Sequence, residues 1–199
     1  MSQQPQFSNR PNSRIHTQDG RVLHHARANA VVAEICLYDT QQQTWSILLM
    51  QRGLQDQEFA GYWALPSGYL DWDETLYQAM MREVYEETGL WLPAVLQQSK
   101  AVSADAEPWR ISDVPTGEKQ NLAFHYAVLF AWSNDDYPEL SVQSDDPHET
   151  LSAKWVGMQH ASHMALAFAH QHNIQQLLQQ KAQSFTALEM KLLLGSASP

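Results

Sequence analysis

Between Gly68 and Leu90 the chain carries four glutamates, Glu74, Glu83, Glu86 and Glu87, three of them within five positions. Leu76, Met80 and Val84 recur at i, i+4 and i+8 with Ala79 beside them, so the segment is an amphipathic helix. Asp73 is the expected N-cap, acidic residues fill the first turn, and Gly89 suits the stop. At about 100° per residue, Glu87 falls between Leu76 and Met80, Glu83 lies beside Leu76 and Glu86 beside Ala79. The acids therefore sit in or beside the face that should be buried, where an uncompensated carboxylate is costly. A surface helix laced with salt bridges would need lysines at i+4, and this helix has none. Glu83, Glu86 and Glu87 can instead converge on one point as oxygen ligands for a hard cation such as Mg²⁺ or Mn²⁺.

The full stretch is a glycine (Gly68), five residues, Glu74, seven residues, then Arg82-Glu83-Val84-Tyr85-Glu86-Glu87-Thr88-Gly89-Leu90. It resembles the Nudix box position for position. The resemblance extends over about residues 26–165 and implies an α/β/α sandwich with a mixed β-sheet. It also implies a divalent-metal-dependent hydrolase that cleaves the diphosphate of a nucleoside diphosphate linked to another moiety. Carried over to this chain, Glu83, Glu86 and Glu87 are the metal ligands. Ser67 or Gly68 supplies a backbone carbonyl, and Arg82 with Glu74 plays an orienting part. In many members a glycine stands where this chain has Ser67. A further acid is expected from a late loop, with Glu149 ahead of Asp145 and Asp146. Arg52 resembles a phosphate-facing arginine of relatives, and Trp63, with Phe59, Tyr62 and Trp109, could stack a base, although each also suits core packing. ADP-ribose or a nucleotide sugar is the favoured substrate class, with dinucleoside polyphosphates and nucleoside triphosphates open. The alternative is a non-catalytic, nucleotide-sensing or regulatory module of the same fold.

Composition narrows the partners. A net charge of −10 disfavours nucleic acid and anionic membranes, so cations are needed between this protein and an anionic substrate. One cysteine, Cys36, in an apolar run, excludes an internal disulfide. No apolar run reaches membrane-spanning length, and the first twenty residues lack a signal-peptide core, which reads as a cytoplasmic protein. The nine histidines lack cysteine or acidic partners at zinc-ligand spacing; His125, inside a central strand, is either buried or pocket-lining.

The rest of the chain divides into a polar arm (1–25), the hydrolase domain (26–165) and a C-terminal helical extension (166–199). Strands are expected at Ala28–Tyr38, Trp45–Gln51, Trp63–Gly68, Val95–Val102, Leu122–Trp132 and Leu151–Val156. Glu107–Gln120 and Asn134–His148 read as loops, with helices over Ser162–Gln183 and Phe185–Leu194. The apolar last helix would pack on the domain or make a homodimer.

Overall fold

The computed structural model describes residues 12–56, 58–114, 121–133, 136–143 and 150–195. Its frame is an eight-stranded mixed sheet. The two longest strands, β3 (Asn29–Asp39) and β9 (Leu122–Trp132), run parallel at its centre, paired from Asn29 opposite Leu122 to Asp39 opposite Trp132. Both are mostly apolar on successive residues, as strands covered on both faces must be. β4 (Thr44–Arg52) returns antiparallel along β3, and β10 (Thr150–Gly157) closes that edge. Two short strands, β5 (Trp63–Ala64) and β6 (Ser67–Tyr69), pair with β4 and β3; β7 (Ala101–Ala104) and β8 (Arg110–Ser112) pair with β9.

Alternation along the central strands separates two cores. On one face Val31, Ala33, Ile35 and Leu37 join Tyr126, Val128 and Phe130 against Ala79, Met80 and Val84 of α1 (Leu76–Thr88). On the other, Val32, Cys36, Ile47, Leu49 and Leu129 pack against Ile174 and Leu177 of α4 (His170–Gln180) and Phe185 and Leu188 of α5 (Ala182–Gly195). This is the expected α/β/α sandwich. The last helix packs on its own domain through Phe185 and Leu188, and Trp45 Nε1 donates to Glu189 at 2.6 Å.

Several expectations need correction. Thr75, not Asp73, caps α1: its hydroxyl accepts from Gln78 N and the Gln78 side chain accepts from Thr75 N, a reciprocal box that starts the helix after the acids, so no acid lies in its first turn. Val95–Val102 is not one strand. Pro93 has the fixed φ of a first helical turn, so Leu92–Gln98 coils into α2 and the strand β7 begins only at Ala101. The loop expected over 107–120 contains β8. The helix expected from Ser162 is interrupted: after the short α3 (Met158–Ala161) the chain bridges to Trp63 at Leu166 and takes a left-handed turn at Phe168 (φ 54°) before α4 begins. Within the segment read as an arm, β1 (Ser13–His16) and β2 (Val22–His25) form an antiparallel hairpin. Among the described residues no helix is long and apolar enough to cross a membrane.

Candidate active site

The site is built where β6 turns into α1. Glu83 and Glu87 lie on the helix face that packs toward the sheet and are 8% and 4% exposed, while the Glu86 side chain is partly open. The angular reading of the sequence put them there. Arg82 is the hub. Its guanidinium grips Glu74 through two nitrogens, Nη2 to Oε1 at 2.6 Å and Nε to Oε2 at 3.1 Å, and donates to the Tyr69 carbonyl at 3.0 Å. Its Nη1 donates to Glu83 Oε1 at 2.8 Å and to Glu86 Oε2 at 2.9 Å. Such paired charged hydrogen bonds fix orientation as well as charge. The Glu74 carboxylate raises the Arg82 pKa above its ordinary range, against an opposing effect of burial, and the Arg82 hydrogen bond in turn lowers that of Glu74. The guanidinium thus stays charged and holds two carboxylates side by side.

Glu87 is tied separately. Its Oε2 accepts from Ser67 N at 2.8 Å, which ties the last turn of α1 to the start of β6. Gly68 is required by a close approach: a Cβ on it would collide with the Glu83 carboxylate. Gly89, at φ 73°, closes the helix, its N–H bonding to Tyr85 O at 2.7 Å. Beside this cluster Arg82 and the loop 71–74, Glu74 included, line an open depression of about 430 Å³, in which Trp72 is 94% exposed.

Among the described residues no three acidic, histidine or cysteine side chains close on a single point. Glu83 and Glu86 meet at a guanidinium nitrogen, and Glu87 turns toward Ser67. The donor set nonetheless fits a hard divalent cation: all three are oxygen donors, Glu83 lies against a backbone with no Cβ and already shares one positive group with Glu86, and Glu87 is held at the adjacent Ser67.

Other expected residues lie elsewhere. The Arg52 guanidinium is 3.2 Å from Asp56 Oδ2, donates to Glu58 O at 3.2 Å and lies 4.8 Å over Phe168. Trp63 packs with the α4-side core, with Lys154 Nζ 3.7 Å over its ring. Neither is joined to the box cluster. Glu149, Asp145 and Asp146 fall outside the described residues. Trp109 donates its indole N–H to Glu34 at 3.0 Å, and His125 is buried 2.9 Å from the same carboxylate. Sequence reasoning passed over Glu34, although a single acid inside the apolar run from Ala28 to Tyr38 was its signal.

A NUDIX domain family model matches residues 28–178. No curated protein matches the chain. Solved structures share the fold. The NUDIX domain of Shewanella oneidensis NrtR, complexed with ADP ribose, aligns at a TM-score of 0.57 and 22% identity, over 78% of this chain and 88% of that one. RenU, a Nudix hydrolase from M. smegmatis, aligns at 0.57 and 19%, over 86% and 95%. A bifunctional NMN adenylyltransferase/ADP ribose pyrophosphatase from Francisella tularensis, complexed with AMP and a manganese ion, aligns at 0.54 and 22%, over 78% of this chain and 42% of that one. At these identities the likeness is one of fold.

Proposed function

The chain belongs to the NUDIX family, and from that premise we propose that it is a Mg²⁺- or Mn²⁺-dependent pyrophosphohydrolase. Its substrate is a nucleoside diphosphate linked to a further moiety, with ADP-ribose or a nucleotide sugar favoured. The observation that carries this reading is the intact cluster in which Arg82, clamped by Glu74, holds Glu83 against Glu86 while Ser67 N fixes Glu87.

Glu83, Glu86 and Glu87 would hold the cation, with the Ser67 or Gly68 carbonyl beside them. When bound, it supplies neutralisation of phosphate charge and a lowered pKa for water. The chain's own part is positional. Glu74 fixes Arg82, and Arg82 holds the Glu83 and Glu86 carboxylates facing one another. The missing Cβ of Gly68 lets Glu83 reach the turn. Glu149 is proposed as the additional acid, and Arg52 as a phosphate contact. The protein's charge of −10 fits a site that meets its anionic substrate through cations. ADP ribose, the ligand seen with one fold-mate, is of the proposed substrate class, and another fold-mate carries a nucleotide, AMP, with manganese.

The test is product release from ADP-ribose, nucleotide sugars, diadenosine polyphosphates, NADH and nucleoside triphosphates, with Mg²⁺ or Mn²⁺ and with EDTA. Metal-dependent turnover concentrated in one class supports the reading and names the substrate. Tight binding without turnover would replace it with a nucleotide-sensing module.

A further inference from the structure

On the sheet face opposite α1, side chains from three strands form a hydrogen-bonded series that the carboxylate site does not use. Glu34 of β3 is wholly buried. Its Oε2 accepts from Trp109 Nε1 at 3.0 Å, and its Oε1 lies 2.9 Å from His125 Nδ1 on β9. The other ring nitrogen, His125 Nε2, lies 3.1 Å from Ser112 Oγ on β8. The tautomer that donates from Nδ1 to the Glu34 carboxylate leaves Nε2 to receive the Ser112 hydroxyl proton. A hydroxyl joined to an imidazole, and that imidazole oriented by a carboxylate, is the arrangement that turns serine into a nucleophile on unrelated folds.

Placement opens the serine end of this series. Glu34 and His125 are buried, but Ser112 is half-buried on the short strand β8, between exposed Ile111 and exposed Asp113. Arg110, two residues earlier on the same strand face and half-buried, donates to the neutral Asn173 Oδ1 at 3.1 Å. Among the described residues it has no carboxylate partner, in a chain whose net charge is −10. A guanidinium left with an amide oxygen beside the serine is matched to an anionic group.

We propose that Ser112 and His125 form a second hydrolytic site, with Glu34 positioning the imidazole, for carboxylic esters that bear an anionic group contacted by Arg110. Ser112 Oγ bonds to the acyl carbon as its proton passes to His125 Nε2. The carbon–oxygen bond to the alcohol breaks, and that oxygen takes the proton from Nε2. Water, deprotonated by the same nitrogen, then releases the acid and restores the serine. The site is independent of the metal reaction and of the family reading.

The test uses the full chain with a fluorophosphonate probe, whose phosphorus bonds to an activated serine with loss of fluoride, and with p-nitrophenyl succinate and p-nitrophenyl acetate. The expected results are an adduct on the Ser112 peptide of the folded protein that is absent in urea, faster cleavage of the succinate than of the acetate, and a fall of roughly 10²-fold in Ser112→Ala. Glu34→Gln should slow labelling of Ser112 about tenfold or more while circular dichroism stays unchanged, which a packing role alone would not produce. No adduct at Ser112 in the folded protein, or equal ester cleavage by wild type and Ser112→Ala, overturns the proposal.

Discussion

At Gly68 a methyl group would be driven into the Glu83 carboxylate, while at Gly89 it would meet the Ser141 backbone. The two substitutions should therefore separate chemistry from folding. Glu83 ends a flexible side chain and can swing aside, so Gly68→Ala should lower metal-dependent turnover by roughly 10²-fold, the usual result of misplacing a reacting group by an ångström. Its melting temperature should stay within a few degrees of wild type. Gly89 is left-handed at φ 73° and its obstacle is main chain, so Gly89→Ala costs about 1–2 kcal/mol for the conformation alone. It should melt roughly 5 °C or more below wild type. Thermal melts and rates on the two purified variants check both statements. The carboxylates themselves were legible in the sequence, because helical spacing fixes which residues share a face. Arg82's pairing with Glu74 was legible only through the resemblance, and its bond to the Tyr69 carbonyl was not legible at all, because both partners precede the helix and only the turn brings them to the guanidinium.

At the scale of elements, the reciprocal bonds of Thr75 and Gln78 start α1, so Thr75→Ala should destabilise the protein by about 1 kcal/mol in chemical denaturation. Asp73→Ala should cost far less, since Asp73 lies outside the cap. His170, at the start of α4, ties that helix to the sheet by accepting from Leu65 N at 2.9 Å. Burial, aided by the nearby His125 and Arg52, lowers its pKa to about 3. The folded protein therefore keeps it neutral while the unfolded chain protonates it below about pH 6.5. Its effect on stability is nil above that pH, and between there and pH 3 stability falls by about 1.4 kcal/mol per unit as pH drops. His170→Gln, which retains an acceptor, should lose that slope in denaturation curves between pH 6 and 4, whereas parallel curves would refute the assignment. The long strands were readable from continuous apolar runs. α2 was not, because Ala94, Val95 and Leu96 suit either structure and Pro93 decides between them.

At the scale of the whole molecule, the parallel pairing of β3 with β9 places α1 on one face of the sheet and α4 with α5 on the other. Local patterns mark strands but not their neighbours, and 82 residues separate the two that lie side by side (from Asp39 to Leu122 in the chain). A mixed α/β sandwich was legible in the order of strands around one acidic helix with a helix late in the chain, and the resemblance carried by the box gave it its α/β/α form. That topology also explains why Trp63 joins the α4-side core while the carboxylates gather at the α1 turn. Whether those carboxylates perform metal-dependent hydrolysis is decided by comparing wild type with Glu83→Gln on the best substrate in saturating Mg²⁺. The variant should keep its fold and lose roughly 10²- to 10³-fold or more in kcat. Equal rates in the two proteins would contradict the account.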